Sequence, residues 1–200
     1  MTYYSQLGQD KYISELLKKK NGTFLDIGAA NGIELSNTKH FEEEGWTGFC
    51  IEPNKAIYPE LEKNRKCECF NVALGEEGSR DFILVSGEPY MLSGFADCVD
   101  IDRIKLECER DGGDYNRIQV PAVPLENLCE KTNIWHFDYC SLDTEGSELE
   151  ILKSINWKRI NIDYISVENN SNDNNVRDWM EDNGFVHLCK LTYDDIYEKH

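Results

Sequence analysis

Five short apolar runs in this 200-residue chain each lead into residues that could do chemistry. Asp26, Gly28 and Asn31 follow the first, Glu52, Pro53 and Asn54 the second, and Asn71 and Ala73 the third. Asp143, Thr144, Glu145 and Gly146 follow the fourth, and Glu168, Asn169 and Asn170 the fifth. A single carboxylate after a strand is often a helix cap, but a structural sheet does not need so many on one edge. If Asp143, Glu145 and Glu168 meet, like-charge repulsion raises at least one pKa and makes a general base available near neutral pH. The same oxygens would suit Mg²⁺ or Mn²⁺, so a divalent metal is possible, although no metal ligand is assigned.

The segment Phe24-Leu25-Asp26-Ile27-Gly28-Ala29-Ala30-Asn31-Gly32 has the composition of a buried strand entering a glycine turn. Glu52 ends the next apolar run, at the spacing where a carboxylate accepts the two hydroxyls of a ribose. The turn lacks the G-x-G-x-x-G glycine that lets a pyrophosphate approach the backbone, and the chain has no G-x-x-x-x-G-K-[ST] run. Dinucleotides and triphosphates therefore lose ground. A D-x-G-x-x-x-G turn with an acidic second strand looks instead like half of an S-adenosylmethionine site, with Asp26 and the loop amides at the methionine end. A nicotinamide-dependent oxidoreductase, or a non-catalytic carbohydrate-binding or scaffolding domain, is the competing reading of the same plan.

Lys and Arg number 21 against 38 Asp and Glu, a formal charge of -17. Such a chain repels nucleic acid and anionic membrane surfaces. The run Lys18-Lys19-Lys20 sits where cations complement a helix C-terminus. No stretch approaches a membrane span and the start has no leader pattern, so a cytoplasmic protein is expected. Eight cysteines without a C-x-x-C pair read as reduced core thiols; Cys67 and Cys69 share one strand face but lack two further ligands for zinc. The four histidines are scattered, and no G-x-S-x-G elbow supports a hydrolase.

These groups need a scaffold. Apolar spacing predicts helices at 9–20, 38–44, 56–64 and 175–183 and another beginning near Glu148. Strands are predicted at 23–27, 48–51, 67–72, 137–142 and 163–167, with 185–191 as a closing, antiparallel strand. The alternation implies an α/β fold with a mainly parallel sheet flanked by helices. One domain, 1–200, is expected, with an N-terminal helical segment at 1–22. Residues 75–124 hold two strand-like runs, 81–85 and 117–123, and read as an insertion or lid. Residues 169–175 are polar and turn-like.

Several segments in order resemble the FkbM-type methyltransferases: 4–10, 24–32, 35–38, 45–48, 51–54, 141–148 and 167–169. The resemblance implies a Rossmann-like methyltransferase fold, S-adenosyl-L-methionine as cofactor and methyl transfer to a hydroxyl, most often of a sugar or glycan. It implies that Asp26, Gly28, Asn31 and Gly32 line the cofactor loop and that Ser36 and Asn37 lie near the methionine carboxylate. Glu52 would hold the ribose, Asn71 and Ala73 the adenine side, and Asp143 the sulfonium region, with Gln6 and Gln9 closing from the N-terminal segment. Asp143 or Glu145 would then be the base and Glu168 would orient the acceptor. Region 75–124 matches the family poorly except at 92–95, leaving the acceptor and the oligomeric state open.

Overall fold

The computed structural model describes residues 2–170 and 174–200, so part of the polar stretch 169–175 lies outside the described residues. A seven-stranded sheet has the order β10-β11-β9-β8-β1-β2-β3, and a four-stranded sheet has the order β4-β7-β5-β6. The parallel core of the first consists of β1 (Thr23–Ile27), β2 (Thr47–Ile51), β3 (Glu68–Phe70), β8 (His136–Leu142) and β9 (Asn161–Glu168). The chain reverses order between β1 and β8, which opens a crevice at the carboxyl ends of the strands.

Burial explains the central strands. Phe24, Leu25, Phe49, Phe137, Tyr139 and Ile165 are fully shielded, because helices cover both faces of the sheet. One face packs around Leu25, Phe49, Phe137 and Ile165, with Leu128 of α5 (Leu125–Thr132) and Leu152 of α6 (Glu148–Ser154). The other face packs Phe24, Cys50 and Tyr139 under Ile13 of α1 (Gln9–Leu17), Phe41 of α2 (Lys39–Glu43) and Leu61 of α3 (Tyr58–Asn64). No helix among the described residues is long and apolar enough to cross a membrane.

The structure redraws several expected elements. Helix α1 stops at Leu17 because Lys18 takes a left-handed conformation, and Lys19 turns to pair with Asp138. The expected strand 67–72 shortens to β3, and β4 (Ala73–Leu74), just beyond it, belongs to the small sheet. The break is fixed where Glu52 N donates to Phe70 O (3.0 Å) and Asn71 Nδ2 donates to Glu52 O (2.8 Å). Strand β10 (Phe185–Leu191) lies at the edge; an unanticipated β11 (Asp194–Lys199) separates it from β9 and runs antiparallel to both.

Region 75–124 folds around the antiparallel pair β5 (Gly78–Ser86) and β7 (Asp114–Val123), with β6 (Gly94–Phe95) and an unanticipated helix α4 (Ile101–Asp111). Asp100 caps α4 by accepting from Asp102 N and Arg103 N, each at 3.0 Å. Its own small core joins Ile83, Val85 and Leu92 to Ile104 and Cys108.

Candidate functional site

The strand ends around the crevice are held by close backbone approaches. Gly28, at φ 85°, donates to Ile51 O (3.0 Å), and Asp143 N donates to Ile27 O (3.0 Å). A Cβ on Gly28 would stand 1.7 Å from Asp143 O, so only glycine lets the loops after β1 and β8 touch. Asp26 is buried and accepts from Thr38 Oγ1 and from Arg65 Nη1 at 3.3 Å. Burial raises its pKa despite the guanidinium beside it. Ser36 Oγ accepts from Lys39 N (3.1 Å), and Asn37 donates Nδ2 to Ser141 Oγ (3.0 Å), while Asn37 Oδ1 is buried without a hydrogen-bond partner.

Glu52 follows β2, with one carboxylate oxygen accepting from Ala30 N (2.9 Å) and the other from Asn54 N (2.7 Å). Each oxygen keeps acceptor capacity toward the crevice. Burial, with some help from the Asp26 charge, outweighs these bonds and pushes its pKa up to about 7.

The acidic wall follows β8 and β9. Glu145 takes a left-handed φ of 56°, and Gly146 follows at 107°. This tight loop is tied down by Glu148, whose Oε1 accepts from Thr144 N (2.8 Å) and Gly146 N (3.1 Å). Asp143, Glu145 and Glu168 thereby offer carboxylate oxygens all within 4.8 Å of one another. Burial and the facing carboxylates push Asp143 well above the usual range, and burial also raises Glu168, to which Asp143 is hydrogen-bonded, so the pair shares a proton. Burial and Glu168 push Glu145 to about 7, against the opposing pull of Arg103, whose Nη1 lies 3.5 Å from its Oε2. Three such oxygens could also hold a hard divalent cation completed by water.

These groups share one cavity of about 650 Å³. Of the residues expected at a cofactor or reaction site, Gln6, Asp26, Gly28, Ser36, Asn37, Glu52, Ala73, Asp143, Glu145 and Glu168 line it. Asn31, Gly32 and Asn71 do not. Asn31 Oδ1 accepts from Glu34 N (2.8 Å) and shapes the loop from behind. A Cβ on Gly32 would meet Leu61 Cδ1 at 2.6 Å, so this glycine serves the packing of α3. Asn71 supports the Glu52 backbone.

Sequence reasoning missed two parts of the wall. Asp194, at the start of β11, accepts from Gln9 Nε2 at 2.7 Å and draws the N-terminal segment to the cavity. Tyr90, Arg103 and Arg110 of the 75–124 region also line it. That region is docked on the acidic loop, where a Cβ on Gly94 would stand 3.4 Å from Thr144 O and 3.5 Å from Glu145 Cβ, ordinary contact distances. The Asp194 signal was present as an Asp-Asp pair after a turn-like Thr-Tyr; that of α4 was Asp100 followed by Ile101, Ile104 and Cys108.

Residues 26–186 match the family model described as the Methyltransferase FkbM domain. Among solved structures, the chain is similar to the METTL16 MTase domain, with 12% identity over 98% of this chain and 68% of that one, at a TM-score of 0.50. It is similar as well to a chain of the fibrillarin/NOP5P complex, with 11% identity over 98% of this chain and 81% of that one, also at 0.50. At these identities the likeness concerns the fold, which is the Rossmann-like methyltransferase architecture. No curated protein matches the chain.

Proposed function

We propose, for a chain that belongs to the FkbM methyltransferase family, that this S-adenosylmethionine-dependent enzyme methylates a hydroxyl oxygen of a neutral sugar or glycan. The observation that carries the reading is the set of three mutually close carboxyl groups on the cavity wall, one of them titrating at about 7. A sugar hydroxyl is a weak acid, so its oxygen becomes an effective nucleophile only if a base takes the proton as the bond to carbon forms.

The residues present fit the cofactor. The buried, unpartnered Asn37 Oδ1 can accept from an ammonium group, and Glu52 retains acceptor capacity for ribose hydroxyls. Asp26, Gly28, Ser36 and Asn37 would surround the methionine end, Ala73 the adenine side, and Asp143 the region of the sulfur. When bound, S-adenosylmethionine supplies an electrophilic methyl group. Glu145 accepts the acceptor's proton, while Asp143 keeps its own proton directed to Glu168 and so holds the Glu168 carboxylate for orienting the acceptor. Arg103 sits beside Glu145 and limits how far its pKa rises. Gln6 and region 75–124 close the cavity against water. Positioning of this kind contributes much of the acceleration in bimolecular transfers.

The acidic wall disfavours anionic acceptors, and the net charge of -17 argues against nucleic-acid and membrane partners. All eight cysteines are free thiols, in keeping with a reducing, cytoplasmic setting for one 1–200 domain. The test is calorimetry with S-adenosylmethionine followed by labelled-methyl transfer to a panel of neutral glycans. Glu145→Gln should bind cofactor normally and lose about 10²–10⁴-fold in turnover. Asp143→Asn preserves a donor to Glu168 and should lose far less. Label on nitrogen, or wild-type turnover in Glu145→Gln at saturating acceptor, would overturn the assignment. Cofactor binding without transfer to any acceptor would instead support a carbohydrate-binding role.

A further inference from the structure

Cys50 on β2 and Cys69 on β3 are register partners in adjacent parallel strands, and Cys67 precedes β3 on the outer edge of the sheet. Cys50 Sγ lies 3.6 Å from Cys67 Sγ, and the three sulfur atoms all fall within 4.8 Å of one another. Four-coordinate zinc binds thiolates at about 2.3 Å, which puts two sulfurs on one ion roughly 3.8 Å apart. The observed spacing therefore brackets what a single ion requires. Sequence spacing gave only the Cys67 and Cys69 pair; the fold supplies the third thiol from 17 residues upstream.

A buried cation flanks the three thiols. Arg65 has a fully buried side chain, and its Nε has no hydrogen-bond partner even though Glu42 Oε1 lies 3.3 Å away. Its charge acts on Cys50, Cys67 and Cys69 and favours their ionised form, against the burial that pushes the Cys50 thiol up and the Cys69 hydrogen bond and burial that push Cys67 up. Asp26 and Glu42 supply the counter-charge to Arg65 and stand too far into its ion pairs to serve as ligands. Cys50 is buried while Cys67 and Cys69 are half-buried, so an ion enters from the edge and keeps one position for water. None of the three lines the methyl-transfer cavity.

We infer that Cys50, Cys67 and Cys69 form a three-thiolate site for one thiophilic d¹⁰ cation of the Zn²⁺ and Cd²⁺ class, which staples the edge strand β3 to β2. Binding replaces the thiol protons, which pass to solvent, and no electron is transferred.

The experiment uses the full, reduced chain. Cd²⁺ titration, read by the ultraviolet thiolate-to-metal charge-transfer band, should saturate at one equivalent, and Zn²⁺ should compete for the same site. Cys67→Ser and Cys69→Ser should each weaken binding at least about tenfold, since even outer-shell changes at metal sites cost that much. Cys189→Ser should leave binding unchanged, and all three variants should still bind S-adenosylmethionine. In the unmutated protein, Zn²⁺ should protect Cys67 and Cys69, and not Cys189, from alkylation mapped by mass spectrometry. No saturable equivalent, no selective protection, or equal weakening by Cys189→Ser would each overturn the site without touching the methyltransferase assignment.

Discussion

Replacing Glu145 by Gln should stabilise the protein at pH 8 while removing its activity. Glu145 has a folded-state pKa of about 7 against an ordinary 4.5, and its side chain is only 18% exposed. The folded state therefore holds more protons than the unfolded state between those values. Stability from this group is fully present below about 4.5 and is lost as pH rises through about 7. At about 1.4 kcal/mol per unit, the ionised carboxylate at pH 8 costs about 3 kcal/mol relative to the protonated form. Gln resembles the protonated form in shape and keeps none of that cost, in which the attraction of half-exposed Arg103 for the carboxylate is already included. A net gain of about 3 kcal/mol at pH 8 follows, shrinking to under about 1 kcal/mol near pH 5. Urea denaturation of both proteins at the two pH values measures it. A Gln variant no more stable than wild type at pH 8 would mean that Glu145 is not held in an unfavourable ionised state, and the argument for it as base would fall with it.

The same protonation should appear in catalysis as a limb of turnover that rises with pH through about 7 and flattens in Glu145→Gln, measured by initial rates at saturating acceptor. Glu42 behaves in the opposite sense, because Arg65, Lys39 and the amides of residues 66 and 67 hold its pKa down at about 2. Its contribution is present above 4.5 and lost as pH falls through about 2, so Glu42→Gln should flatten acid denaturation while lowering stability at pH 7. Arg65→Met leaves Asp26 and Glu42 buried without their cation and should cost about 3–5 kcal/mol in chemical denaturation. Gly28→Ala places a methyl group on the Asp143 carbonyl at a positive φ; loss of cofactor binding by calorimetry is expected, and retained affinity would contradict the close packing of those loops.

How much of this was legible depended on whether the signal was local. The strands at Phe24, Phe49, Phe137 and Ile165 are mainly apolar runs bounded by turns, and their order alone implies the crevice that collects Asp26, Glu52, Asp143 and Glu168. Helix α4 had only the Asp100 cap and a short stripe to announce it, because just Ile104 and Cys108 of its eleven residues are buried and Leu106 faces outward. Strand β11 was obscured because its burial comes from lying between two other strands, so polar Asp194 and Asp195 sit inside it. That hid Asp194 from the site. Asn31, Gly32 and Asn71 fall in the right loops, yet a loop has two sides, and spacing along a chain does not say which side faces a ligand. The third thiol beside Cys67 and Cys69 was out of reach for the same reason, since it depends on strand register.

Two groups of carboxyls differ in what surrounds them. Glu42 has Arg65 and Lys39, Asp138 has Lys19 and the Thr23 amide, and Asp195 has Arg177 and His187, and each of these carboxyls is held below its ordinary range. Glu52 and Asp194 are as shielded, and Asp143, Glu145 and Glu168 are half-buried, but burial dominates each and no buried cation answers it, so every one is raised. All five line the one cavity. A sequence selected for stability alone would have no reason to leave its uncompensated carboxyls together, whereas a site that binds a positively charged donor and removes a proton from a hydroxyl has need of that arrangement. Asp26 stands between the groups: it lines the cavity and its pKa is raised, yet it has Arg65 at 3.3 Å. It therefore joins the compensated scaffold under α2 and α3 to the uncompensated wall, and Asp26→Asn should lower cofactor affinity and global stability together, where Glu145→Gln separates them.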